Sequence, residues 1–201
     1  METPTVPGLV NKQRFETLID AIFAIVMTFL VLEFKVPKIE HASTEALKAS
    51  LLEMLPLLFC YFVSFFTIAV IWLDHHFLFR HVKYITKTYA YINFLFIVTV
   101  SALPFATGFA GEYIHNPLAV ALFNGCILLM NLVFSWVYAY PKVKNIITEE
   151  GLQLLKKGEA LPIIGMIIII ASVPLAYVNT IMAFGLSFLV LMLHMFKKVA
   201  V

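Results

Sequence analysis

Charged and polar side chains interrupt an apolar segment that runs from residue 15 to residue 36. Arg14 and Asp20 lie at its start, and Thr28 is the only polar side chain between Asp20 and Glu33. A helix of roughly 20 residues, rising about 1.5 Å per residue, crosses the hydrocarbon of a bilayer. A carboxylate inside it costs on the order of 2.5–3.5 kcal/mol unless it faces protein or water. The segment is therefore predicted to be a membrane-spanning helix that faces neighbouring helices and a pathway.

One face of this helix carries a stripe of apolar side chains with a single hydroxyl. At about 100° per residue, Ile25, Thr28, Phe29 and Leu32 fall within one arc, and Asp20 falls on another face. Stripes at this spacing are most often packing seams between helices. The spacing alone is compatible with a seam or with the lining of a passage.

A second cluster of polar side chains lies near the end of the next apolar segment. Trp72, His75 and His76 are expected at the same depth as Arg14 and Asp20. Adjacent histidines point about 100° apart on a helix, so they cannot both line one metal site, and no metal is predicted. Side chains at that depth could hydrogen-bond to Arg14 and Asp20 on the neighbouring helix. The alternative is that both histidines lie in the wet membrane interface.

The composition identifies an all-α integral membrane protein. Of the 201 residues 62% are hydrophobic and 13% charged, against roughly 45–50% and 25% in soluble domains. The segmentation predicts a single domain over 1–201 with six spans and no internal repeat. The spans are about 15–36, 46–80, 88–109, 117–140, 161–177 and 181–196. The span at 46–80 is predicted to be one long helix that Pro56 can kink without dividing it.

The charges favour an orientation with both termini in the cytoplasm. Eleven of the 14 Lys and Arg residues fall on the side of the N-terminus, and three fall on the other side: Lys35, Lys38 and Lys48. This excess is what the positive-inside rule expects of cytoplasmic loops. The sequence contains no P-loop, H-E-x-x-H or G-x-S-x-G motif, so neither an enzyme nor a resident cofactor is predicted. It also has no TVGYG potassium filter. No nucleic-acid partner is expected.

The first two apolar segments resemble those of a known channel family. Residues 14–20, RFETLID, are similar to the R-x-x-x-F-S-D signature of the endo-lysosomal potassium channel family (transmembrane protein 175) and its prokaryotic homologues. Leu18 and Ile19 replace the Phe and Ser of the signature. The following AIFAIVMTFLVLE and the IWLDHHFLF at 71–79 also resemble this family. The resemblance implies a structural network at the cytoplasmic end that locks the first two helices together, formed by Arg14, Asp20, Trp72, His75 and His76.

This resemblance implies a potassium-permeable cation channel of the cell membrane. In that family, single-repeat members assemble as homotetramers and the first helix of each subunit lines a central pore. By position, Ile25 and Leu32 are implied to form rings of a hydrophobic gate, Thr28 its only polar ring, and Phe29 an addition to the constriction. Such a gate resists hydrated ions by dewetting.

Two other classes of function are compatible with the sequence. A secondary transporter or proton-coupled carrier would need an ionisable residue at the midplane and broken helices in related halves. The charges cluster near the helix ends instead, which argues against a carrier. A non-transporting membrane scaffold would use Ile25 to Leu32 only as a packing seam.

Overall fold

The structure, a computed structural model, describes residues 9–39, 43–157 and 160–195, and these are almost entirely helical. The first helix, α1 (Lys12–Phe29), tightens into a 3-10 turn at Leu30–Glu33. The other helices are α2 (Thr44–Glu53), α3 (Leu55–His81), α4 (Lys87–Ser101), α5 (Leu103–Glu112), α6 (Pro117–Val143), α7 (Glu149–Lys157), α8 (Ala160–Leu175) and α9 (Thr180–Met195). Two short strands, β1 (Leu9–Val10) and β2 (Ile85–Thr86), pair antiparallel.

Four stretches of the described chain are long and apolar enough to cross a membrane. They are Lys12–Glu33, Leu55–His81, Lys87–Glu112 and Pro117–Val143. The last two apolar helices, α8 and α9, have 16 residues each. At about 1.5 Å per residue they extend roughly 24 Å, less than a hydrocarbon core of about 30 Å. The chain is therefore a multi-pass, all-α membrane protein.

Proline interrupts two of the predicted spans. Because Pro56 has no N–H for the carbonyl of Leu52, α2 ends at Glu53 and α3 begins at Leu55, with Met54 between them. The single long helix predicted over 46–80 is therefore two helices, and α2 contains no buried residue. Pro104 acts in the same way between α4 and α5. The long crossing helix in the second segment is α3 alone.

Buried polar side chains join the helices inside the bundle. The hydroxyls of Ser64 on α3 and Thr107 on α5 lie 2.6 Å apart. Asn124 on α6 accepts a hydrogen bond of 2.7 Å from Ser187 on α9, and its amide donates to the carbonyl of Ala183 at 3.2 Å. These groups satisfy one another where hydrocarbon offers no partner.

One end of the bundle is closed by three chain segments that hydrogen-bond to one another. The connector at 82–86, between α3 and α4, pairs with β1 through Ile85 and Thr86. Lys12, the first residue of α1, donates from Nζ to the carbonyl of Val82 at 2.7 Å. On its other side, the Lys83 N–H donates to the carbonyl of Ile146 at 2.8 Å. The connector therefore fastens the start of α1 to the linker after α6.

The close contact between α3 and α5 depends on a glycine. A Cβ placed on Gly111 would lie 2.7 Å from the Cα of Leu57, which is backbone and cannot rotate away. We expect Gly111→Ala to destabilise the protein by about 1–3 kcal/mol through overpacking, measured as a lower unfolding temperature in detergent. Gly125 on α6 is a matched control, since nothing lies within 4 Å of an added Cβ. Equal unfolding temperatures for Gly111→Ala and Gly125→Ala would contradict the close packing of α3 on α5.

Candidate functional site

Helix α1 presents one buried face and one exposed face to its surroundings. The Asn11 side chain caps its start by accepting from the Arg14 N–H at 3.0 Å. The apolar residues at helical spacing on one side are buried against the bundle, and they are Phe15, Ile19, Phe23, Val26 and Leu30. These side chains pack towards α3 and α4. The opposite side of α1 has no partner among the described residues.

The exposed stripe of α1, defined here as Ala21, Ile25, Thr28, Phe29 and Leu32, runs along this unpartnered side. Ile25 is 49% exposed, Phe29 52% and Leu32 67%. Residues 30–33 form a 3-10 turn, in which each residue advances by about 120°. The side chain of Leu32 therefore points in nearly the same direction as that of Phe29, three residues earlier. All four predicted pore residues therefore share the face that the protomer leaves open.

Thr28 places its oxygen on this stripe in a defined orientation. Its hydroxyl donates to the carbonyl of Ile25, with an oxygen–oxygen distance of 2.7 Å. A hydroxyl has one hydrogen and two acceptor lone pairs. Since the hydrogen bonds back to the helix, the lone pairs remain available to a donor or a cation beside α1.

Asp20 lies between the two faces and contacts α3. Its Oδ1 accepts a hydrogen bond from Trp72 Nε1 at 2.9 Å, and the carboxylate is half-buried. A hydrogen bond to a charged group is stronger than one between neutral groups. This bond ties α1 to α3 one and a half turns inside the apolar segment, where an unpaired carboxylate is costly.

The two adjacent histidines occupy different environments. His75 is 2% exposed, and its Nε2 donates to Oδ1 of Asn93 at 3.0 Å. Its ring stacks on Phe79 with centroids 4.1 Å apart. Asn93 in turn donates to the carbonyl of Tyr89 at 2.8 Å. His75 therefore joins α3 to α4, whereas His76 is exposed beside the ring of Trp72.

The structure does not bring Arg14 to Asp20. Arg14 is exposed, and within residues 9–39, 43–157 and 160–195 its side chain forms no ion pair or hydrogen bond. The arginine near Asp20 is Arg80, on the last turn of α3. Both line a cavity of about 120 Å³ whose other lining residues are Glu16, His75, His76 and Phe79.

Sequence reasoning missed Asn93 as a member of this network and Arg80 as a residue that lines the cavity beside Asp20. Asn93 is an amide within the apolar helix α4, and that isolated polarity is a signal that could have identified it. Arg80 carries no such signal, because a basic residue at the end of a span is ordinary. No group of histidine, cysteine or carboxylate side chains in the described part of the chain has metal-binding geometry.

The sequence and the fold both match known ion channels. The family described as "Endosomal/lysosomal potassium channel TMEM175" matches residues 14–104. A potassium channel of Chamaesiphon minutus is 35% identical over 131 residues, which are 63% of this chain and 64% of that protein. A potassium channel of a Chryseobacterium species is 33% identical over 144 residues, covering 70% of this chain and 68% of the relative.

A solved structure agrees over nearly the whole fold. The crystal structure of a lysosomal potassium-selective channel TMEM175 homologue from Chamaesiphon minutus superposes with a TM-score of 0.81 at 27% identity. The superposition covers 92% of this chain and 97% of that one. The family is one of ion channels and not of enzymes. From these matches, the chain belongs to the TMEM175 family.

Proposed function

We propose that this chain is the subunit of a homotetrameric, potassium-permeable cation channel. Each subunit contributes six membrane spans, with α8 and α9 as the fifth and sixth, and the four α1 helices line a central pore. No permeation path is enclosed by one copy of α1, so several copies must meet on an axis, and closed symmetry is the usual solution. Several relatives are named potassium channels, which supports potassium as the permeating ion.

The observation that carries this proposal is the composition of the exposed stripe of α1. Along α8, the large exposed side chains are isoleucines at 163, 164, 167 and 170, as expected where a helix meets lipid. The exposed stripe of α1 instead carries the hydroxyl of Thr28 among its apolar residues. Beyond its bond to the carbonyl of Ile25, the Thr28 oxygen keeps acceptor lone pairs that water or a cation can use and hydrocarbon cannot.

Ile25 and Leu32 supply the hydrophobic gate in this proposal. Each projects from the open face of α1, one on either side of Thr28, so fourfold repetition would make two apolar rings. Phe29 narrows the same passage. A narrow apolar segment resists water and hydrated ions, so the resting conductance is low and the channel gates by wetting.

Thr28 supplies the polar ring between these apolar rings. Four hydroxyls that donate to their own helices would turn their lone pairs towards the axis and act as acceptors for a partly dehydrated cation. Selectivity then rests on a ring of side chains rather than on backbone carbonyls, consistent with the absence of TVGYG from the sequence.

Asp20, Trp72 and His75 have a structural role in this proposal. Their hydrogen bonds fix α1 to α3 and α3 to α4 beside the pore helix. At the same cytoplasmic end, His76 is exposed beside the ring of Trp72, and the side chain of Arg14 has no partner among the described residues. Both termini are cytoplasmic, and the protein resides in the cell membrane. Its partners are its own copies, the bilayer and monovalent cations, and it needs no cofactor.

Recordings under bi-ionic potassium and sodium conditions test the function directly. We expect unitary currents whose reversal potential has the sign that a higher permeability to potassium than to sodium produces. Thr28→Ala should keep the current but move the reversal potential towards zero, because only a cation ligand is lost. Thr17→Ala is the matched control and should keep the wild-type reversal potential. Flux too slow to resolve as unitary currents, or the same reversal potential in Thr28→Ala and wild type, would contradict the proposal.

A further inference from the structure

A group of exposed lysines gathers at the closed end of the bundle. Lys83 lies in the connector, Lys87 begins α4, and Lys144 directly follows α6. All three side chains are exposed. The backbone hydrogen bond from Lys83 to Ile146 brings the connector beside the end of α6. These three residues, called the basic surface below, therefore come from separate segments that the fold joins.

A second contact holds the basic surface together. The hydroxyls of Thr86 and Tyr140 lie 3.4 Å apart, which places the start of α4 beside the last turns of α6. The rings of Tyr89 and Tyr140 also stack, with centroids 5.4 Å apart. The spacing of Lys87 and Lys144 is thus set by packed helices rather than by loops.

The basic surface lies at the level of the lipid headgroups. Lys87 starts one membrane-spanning stretch, and Lys144 directly follows the end of another. Exposed aromatic side chains flank it, with Tyr84 in the connector, Tyr91 one turn into α4, and Trp136 two turns before the end of α6. Tyrosine and tryptophan are enriched where hydrocarbon meets the headgroups.

The positive charge of this surface is not neutralised by ion pairs. Lys83, Lys87 and Lys144 form no salt bridge with any residue in the described part of the chain. Glu149 and Glu150 are the nearest carboxylates along the linker, and they lie in the first turn of α7, where the helix dipole favours them. The three lysines outnumber these two carboxylates.

We propose that the basic surface binds the phosphate headgroup of an anionic phospholipid. The headgroup would bridge Lys83 and Lys87 on one side and Lys144 on the other. It would thereby brace the connector to which Lys12 and β1 fasten the start of α1. The partner is a lipid rather than a soluble anion, because aromatic side chains anchor these lysines at the bilayer surface.

Binding of fluorescent phosphatidylglycerol to the full chain in neutral detergent tests this proposal. The wild type should bind it more tightly than labelled phosphatidylcholine, and added salt should weaken the binding. The triple variant Lys83→Gln, Lys87→Gln, Lys144→Gln should lose at least about tenfold in affinity, since one lysine near an anionic surface contributes roughly fivefold. Its unfolding temperature should match the wild type, because the three side chains are exposed.

The chain supplies a matched control at the opposite end of the bundle. The triple variant Lys35→Gln, Lys38→Gln, Lys48→Gln removes the same charge and should keep wild-type affinity. Substituting arginine at positions 83, 87 and 144 should also keep it. Equal losses in the two glutamine triples, or no preference of the wild type for phosphatidylglycerol, would overturn the proposal. The readout is lipid binding, so it is independent of whether the protein conducts.

Discussion

Replacing Ile25 with asparagine is expected to raise the resting potassium current on the order of tenfold or more. Ile25 is half exposed on the stripe, so the substitution is repeated in every subunit around one narrow passage. A polar ring lowers the cost of admitting a hydrated ion, and each 1.4 kcal/mol removed from a barrier is worth about tenfold in rate. The measurement is current per assembled channel at rest.

Ile167→Asn on α8 is the matched control for this experiment. Ile167 is 61% exposed and belongs to the lipid-facing row of isoleucines. It should leave the resting current unchanged. Val26, only about 100° from Ile25 around α1, is unsuitable because it is 4% exposed and buried in the bundle core. If Ile25→Asn and Ile167→Asn raise the current equally, the stripe does not line the pore.

Replacing Asp20 with alanine is expected to lower stability more than replacing Arg14 with alanine does. Asp20→Ala leaves the Trp72 N–H without its acceptor and removes a hydrogen bond to a charged group, at a cost of about 1.5–3 kcal/mol. Arg14 is exposed and has no side-chain partner in residues 9–39, 43–157 and 160–195, so its loss should cost within about 0.5 kcal/mol. Thermal unfolding in detergent measures both.

A double-mutant cycle assigns this cost to the contact itself. Trp72→Phe removes the donor and keeps most of the ring. Asp20→Ala combined with Trp72→Phe should therefore cost clearly less than the sum of the two single changes. If the losses of stability in the two single variants add up in the double variant, Asp20 stabilises the protein through a contact other than the one with Trp72. A large loss in Arg14→Ala would restore the arginine to the network predicted from the sequence.

The open face of α1 could be predicted from spacing because the helix is regular from residue 12 to residue 29. The arc that holds Ile25, Thr28 and Phe29 is the arc that the fold leaves exposed. The sequence could not identify Val26 as buried, because apolar residues cover most of this helix. Amphipathic patterns are weak where both lipid and protein neighbours are apolar.

The polar network was less predictable because its partners lie far apart in sequence. The 100° between His75 and His76 predicts that they face different surroundings, as they do. Which of them is buried depends on Asn93, which is 18 positions from His75 and reaches it only when α4 packs on α3. For the same reason, the sequence could not predict that Arg80 lines the same cavity as Asp20. Contacts of this kind are set by tertiary packing rather than by local pattern.

The prediction of one helix over 46–80 is wrong because of the local effect of Pro56, which separates α2 from α3. Proline within an apolar segment is compatible with a kink or with a new helix, and membrane helices tolerate both. Met54 keeps helical backbone angles, with φ −83° and ψ −7°, yet α2 ends before it and α3 begins after it. The polar sequence of α2, including Lys48 and Glu53, allows it to lie outside the packed bundle.

The central claim is that the exposed stripe of α1 faces a pore shared by several subunits. The most direct test is the effect of cadmium on current through Thr28→Cys channels, since closely spaced thiolates bind this soft ion. If the stripe faces the pore, cadmium should block Thr28→Cys channels and should not block the wild type, whose Cys60 is buried and Cys126 half-buried. Thr28→Cys channels that conduct and are indifferent to cadmium would contradict it.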